Sequence, residues 1–94
     1  MFYVYVYVLQ SSQDEGFYIG FTGDLARRFE QHNNGESKAT RFRRPLKLIY
    51  YEAYLLSDDA QARERFLKSG SGRRFLKKQF KHYWDKYPIC FATA

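Results

Sequence analysis

The spacing of apolar positions along this chain switches between two periods. Residues 2–9, "FYVYVYVL", alternate with period two, and a Val- and Tyr-rich run of that kind predicts a strand. "SSQDEG" is a cluster of turn formers, and "FYIGF", residues 17–21, reads as a second short strand, so the two make an antiparallel hairpin. From Asp24 the spacing becomes helical. Thr22 or Asp24 is available as N-cap and Gly35 as a stop. "SKATRFRRP" is a loop closed by Pro45, and "LKLIYYEAY", residues 46–54, predicts a third strand. Ser57, Asp58 and Asp59 open a second helix that runs through "AQARERFLKS". Gly70 and Gly72 interrupt it before a third, basic helix, "RRFLKKQFKHYW". The order β-β-α-β-α-α is that of a small α+β domain. The last residues, "DKYPICFATA", receive no element, and residues 82–94 are treated as a tail.

The alternation assigns faces. Tyr3, Tyr5 and Tyr7 point to one side of the first strand and Val4, Val6 and Val8 to the other. If the apolar faces of the hairpin pair, Tyr7 and Tyr18 share a surface. Gly20 beside them leaves room for a ligand or another backbone. The two phenols form either a site or an amphipathic cover over the sheet. In the first helix Leu25, Arg28, Phe29 and His32 fall at i, i+3, i+4 and i+7, a stripe that faces the sheet. Arg and His are unusual there, because a charge is rarely buried unpaired. The structural alternatives are an i,i+4 ion pair of Arg28 with Asp24 and a helix-terminal cap by His32.

Composition narrows the class. Ninety-four residues with nine Phe, nine Tyr and one Trp fill one modest core, so residues 1–94 are expected to be a single ordered domain. One cysteine, Cys90, forms no internal disulfide and fits a reducing, cytoplasmic compartment. The apolar N-terminal run alternates with tyrosine, so it is neither a signal peptide nor a membrane span. The net charge is +6 and uneven. Lys38, Arg41, Arg43, Arg44 and Lys47 form a block without an acid, and between Arg63 and Lys81 eight cations face one carboxylate, Glu64. Such clusters suit a polyanion, since each phosphate neutralised releases counterions; the alternative is a solvated surface that keeps the protein soluble.

These residues carry a resemblance. Tyr5-Val6-Tyr7 followed by Tyr18-Ile19-Gly20 resembles the paired motifs of the GIY-YIG nucleases, especially small stand-alone members related to the N-terminal domain of excinuclease C. The first motif departs from Gly-Ile-Tyr at Tyr5; the second matches without change. "GDLARRFEQH" is similar to the family's helix, with the functional arginine at Arg28 and the histidine at His32. "ERFLK" is similar to the later Glu-x-x-Leu-Lys motif. The resemblance covers about residues 3–80 and implies a three-stranded antiparallel sheet with helices around it.

It also implies a chemistry. Tyr7 becomes the general base and Arg28 the phosphate ligand, while Tyr18 and His32 orient water or phosphate. Glu64 becomes the carboxylate that holds Mg²⁺ or Mn²⁺. A free phenol is only ~0.1% ionised at pH 7, so Arg28 and the metal are expected to favour the phenolate. These groups should converge on one solvent-accessible pocket. The alternative for Glu64 is an i,i+4 pair with Lys68 worth a few tenths of a kcal/mol. Lys38, Arg41, Arg43, Arg44, Arg73, Arg74, Lys77 and Lys78 are expected to contact nucleic acid, DNA rather than RNA, through phosphates. Family nucleases borrow targeting from an attached domain. Ninety-four residues leave no room for one, so a targeting protein partner is expected. Two function classes follow: a metal-dependent endonuclease acting in DNA repair or processing, and a nucleic-acid-binding module that cleaves poorly or not at all.

Overall fold

The computed structural model describes residues 2–88; Cys90 and the rest of the segment after Pro88 lie outside the described residues. The elements are β1 (Val4–Ser11), β2 (Phe17–Thr22), α1 (Leu25–Asn33), β3 (Leu46–Tyr54), α2 (Ser57–Leu67), α3 (Gly70–Gln79) and α4 (Lys81–Lys86). The sheet is antiparallel with order β2-β1-β3, so the predicted hairpin gains β3 on its other edge. No helix among the described residues is long and apolar enough to cross a membrane.

Period-two alternation on β1 builds a core on each face. Val6 and Val8, with Phe17 and Ile19 of β2, pack against Ala60 and Leu67 of α2 and Leu76 of α3. Tyr7 and Leu9 face the other way, with Leu46, and meet Leu25 and Phe29 of α1. The chain is therefore layered: α1, then the sheet, then α2 to α4. Strand β3 serves both layers because its pairing with β1 shifts register between Val8 and Leu9. Leu9 pairs with Leu48 but Val8 with Tyr50, so Ile49 is the extra residue and the facing of the strand inverts there. Beyond the bulge Tyr50, Glu52 and Tyr54 face α2. Glu52 accepts from the Tyr54 hydroxyl (2.6 Å), from the Tyr50 hydroxyl, and from Arg63 Nε and Nη2 of α2 (2.8 and 3.0 Å). That guanidinium also lies over the ring of Phe75, 4.3 Å from its centroid, so one arginine ties α2 to both β3 and α3.

The ends of α1 are closed as the sequence suggests. Asp24 Oδ1 accepts from Arg27 N (3.1 Å), which makes Asp24 the N-cap rather than an ion-pair partner of Arg28. At the other end Gly35 takes φ +80°, with Gly35 N bonded to His32 O and Glu36 N to Gln31 O, a Schellman closure. In the β1–β2 turn the left-handed residue is Glu15 (φ 57°), not Gly16. Asp14 secures this turn by accepting from Gly16 N (2.7 Å) and from Arg43 Nε (2.7 Å).

The last helical region departs from expectation. A single helix over 73–84 is replaced by α3 and α4, separated at Phe80 (φ −124°, ψ 53°), and α4 carries helix on to Lys86, within the segment that receives no element from the sequence. Phe80 leaves helical geometry and its ring packs beside Phe17, Tyr50 and Trp84 at centroid separations of 5.8, 5.6 and 6.4 Å. Aromatic burial thus outweighs continuity of the helix. Gly70 and Gly72 lie within the first turn of α3 rather than ahead of it, and its N-cap Ser69 accepts from Gly72 N (3.1 Å). A Cβ at Gly72 would stand 2.0 Å from Phe66 O and 2.4 Å from Leu67 Cα, so the glycine permits the close approach of α3 to the end of α2. At Gly70 the nearest atom is Arg74 Nη1 at 3.7 Å. Gly72→Ala is therefore expected to destabilise the fold by about 3 kcal/mol. Gly70→Ala should be neutral or stabilising by up to ~1 kcal/mol. Urea denaturation of both variants checks the contrast, and equal midpoints would contradict it.

Candidate active site

The site is built where β1 meets α1. Tyr7 sits opposite Gly20 in the β1–β2 register, and Tyr18 is opposite Leu9, so both phenols share the α1 face as expected. The space left by Gly20 is taken by Tyr7 itself: a Cβ there would lie 2.5 Å from the Tyr7 hydroxyl and 2.7 Å from Cζ. The glycine therefore admits the phenol rather than a ligand or a second backbone. The helical stripe then brings His32 onto Tyr7. His32 is fully buried, with Nε2 2.9 Å from the Tyr7 hydroxyl and Nδ1 2.7 Å from Thr40 Oγ1. Its ring packs edge-on against Tyr18 with centroids 4.9 Å apart. His32 is thus not a helix cap but the middle of a buried hydrogen-bonded chain, Tyr7–His32–Thr40.

Sequence patterning does not single out Thr40. It lies in the loop between α1 and β3, where a short turn (Arg41 N to Ser37 O, 3.0 Å) carries it beneath His32. Asn33 anchors the far end of that loop by bonding both the N–H and the C=O of Leu46 (3.0 and 3.2 Å). A threonine in a basic loop has no periodicity of its own, and only the buried partner reveals its role.

Arg28 stands at the mouth of this chain. Its Nη1 donates to Gln31 Oε1 at 3.2 Å and its Nη2 to Ser37 Oγ at 3.5 Å, while its guanidinium also interacts with the hydroxyls of Tyr7 and Tyr18. Partial burial works against its charge, but the two phenols outweigh it and hold its pKa above the ordinary value. A surface recess of about 340 Å³ lined by Thr22, Arg27, Arg28 and Gln31 opens the arginine to solvent. Tyr7, by contrast, is 1% exposed, which corrects the expectation of an open pocket around its hydroxyl. Burial pushes the Tyr7 phenol up to about 12, against the hydrogen bond and charge of Arg28, with Tyr18 and Glu64 adding to the rise. The phenolate is therefore not favoured by Arg28 alone, since desolvation exceeds the attraction. Burial, reinforced by Arg28, lowers His32 to about 4, so the ring is neutral at pH 7.

Glu64 lies in the layer across the sheet from α1. It sits on α2, one residue after the Arg63 that grips Glu52, and its charge acts on Tyr7. The pair with Lys68 exists at 3.5 Å, but Lys68 is 54% exposed while Glu64 is 17% exposed. The carboxylate is the better-buried partner in a loose pair. Among the described residues no three His, Cys, Asp or Glu cluster as a ready metal cage. A lone carboxylate fits a hard cation that keeps most of its waters, as Mg²⁺ does, and not a tetrahedral Zn²⁺ site.

The basic residues divide. Arg43 is committed to Asp14, with Nε at 2.7 Å and Nη2 at 3.1 Å, and to Phe17 O at 3.1 Å. It staples the loop to the β1–β2 turn. Lys38, Arg41 and Arg44 remain on the surface of the α1 layer, whereas Arg73, Arg74, Lys77 and Lys78 line the exposed side of α3 in the other layer.

The buried chain makes stability depend on pH. His32 has a folded pKa of about 4 against an unfolded 6.5, so its neutral form stabilises the fold fully above pH 6.5 and that contribution is lost as pH falls toward 4. The shift corresponds to about 3 kcal/mol. Urea unfolding at pH 7 and pH 4 should show a smaller acid-induced loss in His32→Gln than in wild type. Thr40→Val, which leaves Nδ1 without a partner, should cost about 1–3 kcal/mol at pH 7.

A family profile described as the GIY-YIG catalytic domain matches residues 3–82. A UPF0213 protein of Clostridium perfringens is 45% identical over 65 residues, covering 68% of this chain and 69% of its own. One from Haloquadratum walsbyi is 43% identical over 68 residues, 71% of this chain and 75% of its own. Among solved structures, the solution structure of a UPF0213 protein from Bacillus halodurans aligns with TM-score 0.53 and 31% identity, covering 83% of this chain and 85% of that one. The three-stranded antiparallel sheet with flanking helices agrees with that neighbour. With motif residues, fold and relatives in agreement, the chain belongs to the GIY-YIG catalytic-domain family.

Proposed function

We propose that this nuclease-type domain is a divalent-metal-dependent endonuclease that hydrolyses phosphodiester bonds in DNA, in repair or processing. The observation that carries the reading is the buried Tyr7–His32–Thr40 chain ending beside Arg28. Arg28 presents a planar, permanently charged fork to the phosphate oxygens and stabilises the charge that develops on them. With a pKa of about 12, Tyr7 is almost entirely protonated at pH 7. It acts as a base by handing its own proton to His32 Nε2 as it takes one from the attacking water. The competent tautomer has Nδ1–H donating to Thr40 Oγ1, leaving Nε2 as acceptor for the Tyr7 hydroxyl. Arg28 is one of the two causes of the low His32 pKa, so a phosphate paired with Arg28 weakens that cause and makes the ring a better acceptor. Tyr18 holds the His32 ring in place by edge-on packing and shares the Arg28 guanidinium with Tyr7. Glu64 would hold the metal, Mg²⁺ or Mn²⁺, which supplies Lewis-acid stabilisation of the phosphate and the leaving oxygen when bound.

A second reading, a nucleic-acid-binding module that cleaves weakly or not at all, has one observation in its favour: the Tyr7 hydroxyl is buried and its pKa raised. Cleavage and binding measured side by side separate the two. Glu64→Gln keeps shape and hydrogen-bonding capacity but removes the charge, so cleavage in Mg²⁺ should fall on the order of 10³-fold. Binding should persist or tighten slightly. Tyr7→Phe should lose cleavage in the same way. Equal cleavage in wild type and both variants would remove the active-site reading.

Affinity should come from phosphates met by the exposed cations of the loop. Arg41→Glu with Arg44→Glu should weaken binding of any nucleic acid and reduce its salt slope by about 2. Arg43→Ala should instead lower the unfolding free energy, because it breaks the Asp14 staple. Fluorescence anisotropy across a salt series, with urea melts alongside, checks both outcomes.

A further inference from the structure

The position at which the first motif departs from Gly-Ile-Tyr is Tyr5, and its side chain lines a recess beside the active site. That recess, of about 560 Å³, lies between the first turn of α1 and the β1–β3 side of the sheet, with walls from Tyr5, Leu25, Phe29, Leu48 and Tyr51. Tyr5 and Tyr51 meet edge to face with centroids 5.9 Å apart. Tyr51 is 55% exposed and is the direct neighbour of Tyr7 across the β1–β3 pairing. The residue opposite Tyr5 on β3 is Ala53, which leaves the space above the ring open. Tyr3, 43% exposed, continues the aromatic row with its centroid 6.4 Å from that of Tyr5.

The neighbouring recess is its chemical complement. Gly23 and Asp24 wall both, and the second is lined by Arg27, Arg28 and Gln31. Asp24, the acid shared between them, is engaged as the helix cap. An aromatic slot beside an arginine-lined hollow has the two halves of a nucleotide: a flat π-face for a base and fixed cations for its phosphate. Bases within a duplex are already stacked on one another and present only their edges and backbone outward. A base that enters a slot between a helix and a sheet has left the stack.

We propose that the Tyr5–Tyr51 recess is a base-stacking subsite that takes an unpaired nucleobase next to the phosphate held by Arg28, so that the preferred substrate is a strand single-stranded at the point of cleavage. The inference rests on the endonuclease reading for the word substrate, but base capture stands on the recess itself. It gives the tyrosine face of β1 two tasks: Tyr7 toward the reaction and Tyr5 toward the base.

The test uses the full chain in EDTA, so that nothing is cut, with a fluorescein-labelled single-stranded oligodeoxynucleotide, the same oligonucleotide bearing abasic positions, its ribonucleotide counterpart and a duplex. Tyr51→Ala alters an exposed ring, and Tyr5→Leu keeps apolar packing while removing the aromatic face. Each should weaken single-strand binding about tenfold and leave duplex binding unchanged. The abasic oligonucleotide should bind wild type and variants alike. A stronger effect with either sugar supports the subsite and assigns its source. Equal loss on single strand and duplex, or an undiminished tyrosine effect on the abasic strand, would overturn it. So would sedimentation showing a wild-type dimer that Tyr51→Ala dissociates, since the recess would then be covered by a second copy. The two readings fail separately. Cleavage that depends on Glu64 but not on Tyr51, with unchanged strand binding, removes the subsite alone. Tyrosine-dependent base binding with no cleavage in any divalent metal removes the endonuclease reading alone.

Discussion

A fully buried histidine imposes the strictest requirement on this structure. Both nitrogens of His32 must find partners away from water, because an unsatisfied polar atom there costs about 1–3 kcal/mol. One partner comes from β1 and the other from the loop after α1, so strand, helix and loop are fixed relative to one another by a single ring. Among the described residues no buried side-chain polar atom is left without a hydrogen bond. The same arrangement that meets the polar requirement brings Tyr7, His32 and Arg28 together on the α1 face of the sheet.

The sheet makes that arrangement possible by separating two kinds of packing. The valine face of β1 is a dry core closed by α2 and α3, and the tyrosine face carries the hydroxyls and α1. The bulge at Ile49 lets β3 present leucines to α1 at one end and Tyr50, Glu52 and Tyr54 to α2 at the other. Through Glu52 and Arg63 that second set fixes the turn of α2 that carries Glu64. The Glu64 carboxylate adds to the rise of the Tyr7 pKa, a lesser cause than burial.

Charge on the surface is less uniform in purpose than its sum suggests. Arg43, Arg63 and Arg28 each serve a defined partner set, while Lys38, Arg41 and Arg44 lie on the surface.

The sequence by itself determined the elements whose signal is local. Period-two alternation placed β1 and β2 and put Tyr7 and Tyr18 on one face; helical spacing placed Leu25, Arg28, Phe29 and His32 toward the sheet; Thr22 or Asp24 at one end and Gly35 at the other bounded α1. These follow from backbone geometry and from the capping of unpaired backbone groups, which depend on neighbours a few residues apart. What the tertiary structure decided depends on groups distant in the chain. The break at Phe80 arises because rings from β2, β3 and α4 gather around it, and no propensity at 79–81 encodes that. Gly72 reads as a helix breaker until α3 is seen against Phe66 and Leu67. Thr40 and Arg43 read as loop residues, yet one completes a buried histidine and the other staples a turn 29 positions away in the chain. At the Tyr7 hydroxyl burial outweighs Arg28 for the same reason. A nearby arginine is legible from spacing, but desolvation is a property of everything packed around the hydroxyl, and only the assembled fold sets it.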